Sequence, residues 1–422
     1  MKTLLLAGTT IAVLAAANLA PAMAQASKPV SQVVQWNRTL LVIVRTPGAQ
    51  PATIHPTRSF AIMHGAIYDA VNAIDGTHKP YLVRLSASHF ASQEAAAAAH
   101  EVLAKLYPNF QATLDGQLQQ ALAQLPNPGK ADGVIIGNTV ADRILALRNN
   151  DGSHAQPIPY AFGSAPGDYQ STPPNFPKQP QFTHWSRITP FALESANQFR
   201  PGGPPALTSD RYSDAFDQVK SLGIANSTTA TADEALTGRF WNGAIQNYWN
   251  EIAQTASVAH NLTTAENARL FGLLNLSLAD GVITFYDAKY TYNFWRPVTA
   301  IRAATADGNP ETDADPNWLP EVGNTAPDPS YPGAHAVISA AGAEVLTSFF
   351  HKDHFEFSVT SEVIPGVDRS FTSFPAAAKE ATLSRIFAGV HFLFDLTTGQ
   401  RLGSDVADFV IDNFLTSGHR HD

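Results

Sequence analysis

The chain has 422 residues, no cysteine, 44% hydrophobic and 15% charged residues, and 27 Lys+Arg against 36 Asp+Glu for a formal charge of −9. Such a length supports a deep core and roughly two to three domain-sized units, and the low charged fraction excludes wholesale disorder. The acidic balance argues against a general nucleic-acid binder, and the missing cysteines exclude disulfides, cysteine-ligated zinc or iron–sulfur sites and thiol nucleophiles.

Met1-Lys2 gives a positive start, Leu4 to Ala17 an apolar stretch, and Ala22-Met23-Ala24 small residues at both positions of an A-x-A cleavage pattern. Residues 1–24 therefore have the form of a secretory signal peptide, cut before Gln25, and loss of Lys2 takes the charge from −9 to −10. No later segment holds roughly 18 uninterrupted apolar residues, so no transmembrane segment is expected in the mature chain. An exported protein, periplasmic or secreted, is expected.

The mature sequence is dominated by helical period. Phe60, Met63, Ile67, Val71 and Ile74 recur at steps of three and four from Arg58 onward. Further helices are expected over Ser92–Leu106, Phe110–Leu125, Lys130–Leu147, Tyr212–Leu222, Ala232–Ala259, Thr264–Tyr290, Ala334–Phe350, Pro375–Asp395 and Thr398–Leu415. Period-two alternation is scarce, so the expected class is all-α. Between Asp151 and Pro205 the texture changes: eleven of the 29 prolines fall there, among Tyr160, Phe162, Tyr169, Phe176, Phe182, Trp185 and Phe191. Proline ends helices, and a free linker would carry few such aromatics, so residues 151–205 are expected to wrap against a helical body. They separate an N-terminal helical half, residues 25–150, from a C-terminal one, residues 206–422. The acidic run Asp307 to Asp315 lacks the spacing of an EF-hand loop and reads as a solvated turn.

Three blocks in the last third carry chemistry. In Lys289-Tyr-Thr-Tyr-Asn-Phe-Trp-Arg296-Pro297 the two cations lie seven apart, about two helical turns, although Pro297 pushes Arg296 to a helix end or the following turn. A lysine and an arginine together suit a tetrahedral oxyanion, as a point charge and a planar donor fork. Tyr331-Pro332-Gly333-Ala334-His335 runs from a turn straight into a helix, whose first N–H groups can face an anion, with His335 beside it for proton transfer. In Ser384-Arg385 through His391 to Asp395, the aspartate four residues on can hold one ring nitrogen and leave the other as nucleophile or metal ligand. Arg385, six before His391, faces it only if its side chain reaches back or the helix breaks near Gly389. Taken alone, the first block reads as a solvated basic face and the second as a structural histidine at a helix start, and the third is equally compatible with a helix-surface pair.

Together, K-x6-R-P, P-x-x-H and S-R-x5-H-x3-D in this order resemble the signature shared by vanadium-dependent haloperoxidases and type 2 phosphatidic acid phosphatases. Trp36-Asn37, Arg58, the His64/Tyr68-Asp69/Asn72 helix, Pro166-Gly167-Asp168-Tyr169, Thr172-Pro173-Pro174, Thr189-Pro190-Phe191 and Asn293-Phe294-Trp295 look like the exported bacterial haloperoxidase branch. The resemblance implies two helical bundles packed together, with an anion pocket in the C-terminal one. It implies vanadate as cofactor, held by Lys289, Arg296 and Arg385 and by the Gly333-Ala334 turn. His391 would ligate vanadium, oriented by Asp395, and His335 would be the acid–base group. The implied reactants are hydrogen peroxide, halide and a small organic acceptor, with hypohalous acid as the product.

The same residues suit a phosphomonoester, with His391 as nucleophile through a phosphohistidine and His335 as the acid, so an exported acid phosphatase is an alternative, as is a non-catalytic oxyanion binder. One departure stands out. The family usually has Ser-Gly where this chain has Gly333-Ala334, so a hydroxyl donor is missing and a methyl is added. A lost donor to a charged oxygen costs roughly 1.5–3 kcal/mol, so weaker vanadate binding than in relatives with the usual pair is expected.

Overall fold

The computed structural model describes residues 30–96, 99–352 and 354–418; the expected signal peptide, residues 1–24, lies outside them. In chain order the helices are α1 Gln32–Arg45, α2 Pro56–Asp75, α3 Gln93–Ala96, α4 His100–Leu106, α5 Gln111–Gln124, α6 Lys130–Arg148, α7 Asp210–Leu222, α8 Ala232–Phe240, α9 Ile245–Ala259, α10 Thr264–Tyr292, α11 Pro297–Arg302, α12 Ala334–Phe350, α13 Phe374–Phe387 and α14 Leu393–Asn413. One antiparallel hairpin, β1 Phe357–Thr360 with β2 Asp368–Phe371, interrupts this all-α architecture and pairs Phe357 with Phe371.

The helix ends follow local chemistry. Pro56 opens α2 in the first turn, where its missing N–H is harmless, and Gly76 closes it in the left-handed region at φ 67°. Thr263 and Glu266 form a reciprocal capping box at the start of α10, and Asn293 ends it at φ 49°. α10 is long and apolar enough to cross a membrane, yet 94% of its most apolar window is buried inside the protein, as a central core helix requires. It packs on α2 from the N-terminal half and on α12 and α14 from the C-terminal half. A single apolar core runs from Trp36 and Phe60 through Trp249 and Phe271 to Leu346 and Val410, and a smaller one gathers Tyr212, Phe294, Trp295 and Trp318.

Three expected helices are each split in two. The stretch Ser92–Leu106 becomes α3 and α4. The stretch Ala232–Ala259 is broken between Phe240 and Ile245, at Trp241-Asn242-Gly243-Ala244. The stretch Pro375–Asp395 is broken between Phe387 and Leu393, where Gly389 adopts φ 78°. A side chain there would also come within 2.9 Å of the Pro320 Cα, so backbone packing demands the glycine. Helical periodicity continues through these points in sequence, and tertiary contacts override it.

Residues 151–205 are anchored by buried charge. Asp151 accepts from Arg58 Nε at 2.7 Å and from Arg148 Nε at 3.2 Å, while Arg148 donates on to the Thr189 and Pro190 carbonyls. On α10, the Asp280 carboxylate accepts the three successive N–H groups of Phe191, Ala192 and Leu193. Asp69 on α2 does the same for Tyr81, Leu82 and Val83. Each nest satisfies a buried carboxylate with backbone donors and fixes an irregular segment to a helix. His64 and Tyr68 belong to this framework, bonding Asn37 Oδ1 and the Lys79 carbonyl. The acidic Asp307–Asp315 turn closes on itself, Asp307 accepting from Asn309 N–H and Thr312 Oγ1.

Candidate active site

α10 carries Lys289 in its last turn, and the chain then leaves the helix at Asn293. Residues 293–295 are held by the wrapping segment: Tyr169 N–H donates to the Asn293 carbonyl at 2.7 Å and Trp295 N–H to the Gly167 carbonyl at 2.9 Å. This places Arg296 as the N-cap of α11, with Pro297 in its first turn. Lys289 and Arg296 then meet at Asp328, a buried carboxylate that the sequence reading did not single out. Asp328 Oδ1 lies 3.0 Å from Lys289 Nζ and 2.5 Å from Arg296 Nη2. Lys289 Nζ also donates to the Pro329 and Ser330 carbonyls, and Arg296 Nε to the Asp328 carbonyl. Burial lowers the Lys289 pKa to about 8 despite Asp328, with Arg296 lowering it further. Burial works against ionised Asp328, but the two cations outweigh it and hold its pKa below the ordinary value.

The break after α13 brings Arg385 and His391 together. Arg385 sits in the last turn of α13, and the turn through Gly389 sends His391 back beside the Arg296 guanidinium. Arg296 Nη1 donates to the Val390 carbonyl at 2.9 Å and lies 3.1 Å from His391 Nε2. His391 Nδ1 is 2.9 Å from Asp395 Oδ2, which also accepts from Ser330 Oγ at 2.6 Å and from Phe392 N–H. The carboxylate assigns the ring proton to Nδ1, leaving a lone pair on Nε2, the state a metal ligand needs. Burial, then Arg296, Lys289 and Arg385, push the His391 pKa well below the ordinary histidine value. Asp395 rises to about 6 because it is buried.

Arg385 differs from the other two cations. Its Nη2 donates to Asn242 Oδ1 at 3.1 Å, but Nε and Nη1 are buried without any partner. Burial, and the charge of Arg296, bring its pKa down to about 9, so it stays charged at neutral pH. Two charged donors left idle in the interior are costly, and they mark a place shaped for an anion. His335, in the first turn of α12, points Nε2 at the Trp241 carbonyl, 2.9 Å away, so its proton resides on Nε2 and its lone pair on Nδ1. Burial and then Arg385 push its pKa well below the ordinary value. Asn242 and Trp241 both come from the break between α8 and α9, so the interruption that periodicity did not disclose supplies a partner to each group.

Arg296, Arg385, His335, His391, Asp328 and Ala334 line one cavity of about 580 Å³. The N–H groups of Ala334 and His335 make no bond among the described residues and add two donors at the start of α12. Two expected contacts are placed differently. Lys289 does not line the cavity and acts on it through Asp328. Gly333 also stands behind the wall, its N–H donating to the Asp395 carbonyl at 2.9 Å, and a side chain there would meet Leu396 Cδ2 at 2.9 Å. Of the aromatics near the motifs, Tyr286 lines the cavity, whereas Phe294, Trp295 and Tyr331 are core. The N-terminal half and the wrapping segment contribute His55, Pro56, Gln181 and Phe182 to the wall. Asp328, Asn242, Ser330 and His55 left no signal in the sequence, because their partners lie far away in the chain.

Comparison with known proteins agrees with this geometry. Residues 269–417, which carry the three blocks, match the family described as the VCPO second helical-bundle domain. The chain is 25% identical over 483 aligned positions to the vanadium chloroperoxidase of Curvularia inaequalis, covering 86% of this chain and 78% of that protein. The crystal structure of the first bacterial vanadium-dependent iodoperoxidase superposes with a TM-score of 0.77 at 25% identity, covering 93% of this chain and 99% of that one. A holo-type bacterial vanadium-dependent chloroperoxidase shares the fold at a TM-score of 0.66 and 16% identity, over 88% and 96% of the two chains.

Proposed function

We propose that this chain, a relative of the vanadium-dependent haloperoxidases, is an exported enzyme that uses vanadate and hydrogen peroxide to oxidise halide to hypohalous acid. The observation that carries the reading is Arg385, which has two buried donors without a partner among the described residues and lines the same cavity as the lone-pair nitrogen of His391. The donor set fits vanadate: Arg385, Arg296 and the Ala334 and His335 N–H groups would hold its oxygens, and His391 Nε2 would ligate the metal. Lys289 and Asp328 keep the Arg296 fork in place, and Asp395 keeps the His391 lone pair turned inward.

When bound, vanadate supplies a Lewis-acidic centre that activates peroxide without changing its own oxidation state. His335 is neutral at pH 7, so its Nδ1 can take a proton from incoming peroxide, and the Trp241 carbonyl stabilises the imidazolium that results. Idle donors and low-pKa histidines in a walled cavity stabilise negative charge without reorganising water.

An assay of the mature protein with peroxide and iodide, bromide or chloride, with and without vanadate, tests the reading. Vanadate-dependent halide oxidation is expected. Phosphomonoester hydrolysis that vanadate inhibits, with no halide oxidation, would replace it by the phosphatase alternative, and vanadate binding with neither activity by the non-catalytic one. Export rests on the 1–24 pattern, and the N-terminus of protein recovered outside the cytoplasm is expected at Gln25.

A further inference from the structure

The cavity is far larger than its inorganic reactants need. Peroxide and halide occupy volumes of the order of the ~30 Å³ of a water molecule, and about 580 Å³ is the size of a small-organic-molecule site. Away from the cations its wall carries an aromatic patch. Phe182 lies 5.3 Å from the His55 ring and 5.3 Å from Tyr286, centroid to centroid, with His55 and Tyr286 6.4 Å apart. Phe182 holds this position at φ 54°, a backbone state phenylalanine adopts only under constraint. Its carbonyl accepts the Trp185 N–H at 2.9 Å, which closes the turn.

His55 adds a polar point to this patch, beside the Gln181 amide that donates to the Tyr286 hydroxyl. It caps α2, and its Nδ1 accepts the Thr57 N–H, so the ring proton is on Nε2. Nε2 has no partner among the described residues, and the side chain is only half-buried because it faces the cavity. Desolvation within the cavity wall holds the His55 pKa at about 3 against an opposing pull from Asp328, so the ring offers a neutral donor at pH 7. A carboxylate would go to the arginines; a neutral oxygen on a flat apolar body matches His55 and its aromatic neighbours.

We propose that His55, Phe182 and Tyr286 form a subsite for the organic acceptor, a phenol whose ring packs against Phe182 and Tyr286 and whose oxygen accepts the His55 Nε2–H. The assignment of turnover to this subsite rests on the halide-oxidising reading; the binding itself does not. In turnover, the electron-rich ring takes the halogen from hypohalous acid, the O–halogen bond breaks, and the hydroxide released leaves with the ring proton as water.

The test uses the full chain without vanadate, titrated with phenol and with cyclohexanol, which keeps the hydroxyl and loses the aromatic ring, and followed by saturation-transfer NMR. Phenol is expected to bind at least fivefold more tightly than cyclohexanol. His55→Asn retains a good N-cap side chain but lacks the Nε2–H, and Phe182→Leu retains bulk but lacks the ring. Each is expected to weaken phenol binding at least fivefold, and to raise the KM for phenol by a similar factor in the halogenating assay. Equal binding of the two alcohols, or phenol affinity unchanged in both variants, overturns the subsite. If His55→Asn fails to fold, Phe182→Leu alone decides. Phenol binding that follows these variants in a protein with no halide oxidation would refute the proposed reaction and leave the subsite standing.

Discussion

Lowering the pH from 7.5 to 5 should destabilise this fold, as the difference between two opposing sets of buried groups. His55 and His64 are held at about 3, and His335 and His391 well below the ordinary value, all by burial first. His55 and His64 stay neutral when folded at pH 5, and His335 and His391 resist protonation in the same direction, whereas in the unfolded chain each takes a proton at the ordinary 6.5. A depressed histidine stabilises above the unfolded pKa, and that contribution is lost as pH falls below it. The loss is about 2 kcal/mol each for His55 and His64 over this range, about 4 together, and His335 and His391 add to it. Asp69, Asp280 and Asp395 run the other way: burial raises each to about 6 from 3.8. Raised carboxyls gain stability as pH falls through 6, about 1.4 kcal/mol each by pH 5 and about 4 together. The carboxyls only balance His55 and His64, so His335 and His391 tip the sign, and unfolding at pH 5 should take up protons net. Urea unfolding at pH 7.5 and 5 measures the difference, and the vanadate-free protein is the form to use. His64, stacked on Phe271 at 5.0 Å and remote from the cavity, isolates one contribution. In His64→Leu the acid loss should shrink by about 2 kcal/mol. Stability that rises on acidification, or a His64→Leu protein with the full acid loss, refutes the assignment.

Other outcomes follow from single contacts. His391→Ala should abolish vanadate-dependent turnover and weaken vanadate binding by more than the roughly 10–100-fold typical of losing an outer partner, as read by equilibrium dialysis; full activity would remove it as the ligand. Arg385→Met removes two idle charged donors, so vanadate affinity should fall about 10²–10⁴-fold while the vanadate-free protein resists urea better than the parent. Gly333→Ser with Ala334→Gly should raise vanadate affinity about 10–100-fold if a hydroxyl there reaches the anion. Equal affinities would mean that the grip comes from the arginines and backbone alone, consistent with Gly333 lying behind the wall. Arg385 is the leading charge that depresses His335, so vanadate binding should raise the His335 pKa in an NMR titration of labelled histidine; an unmoved value would place the anion elsewhere.

Most of the helices were legible because α10 and α12 bury nearly every face and α2 shows a clear stripe with a proline start and a glycine stop. The three blocks were legible as chemistry because cations and histidines in a chain this poor in charge stand out. The break at residues 241–244 was hidden, and that at 388–392 was legible only as one of two ways to bring Arg385 to His391, although both help create the cavity. Glycine is a weak helix breaker on its own, and what forbids a side chain at Gly389 is Pro320, a neighbour only in the folded chain. Asp328 was hidden for a similar reason. It lies 32 positions from Arg296 in a proline-rich turn, and nothing at sequence level separates it from a solvated loop aspartate.

On the proposed reading, the charge balance would make Arg385 the determinant of vanadate affinity. Lys289 and Arg296 share Asp328 and also donate to backbone carbonyls, so their burial is compensated without any anion. An incoming oxyanion gains little from Lys289, which is already satisfied behind the wall. Arg296 offers a fork whose orientation is fixed but whose charge is partly neutralised. Arg385 has only the Asn242 amide oxygen, so the anion that reaches it ends an unfavourable burial and forms charge-assisted bonds in the same event. Compensating two cations and leaving the third with one amide partner keeps the empty fold stable, and on the proposed reading it would concentrate recognition beside His335.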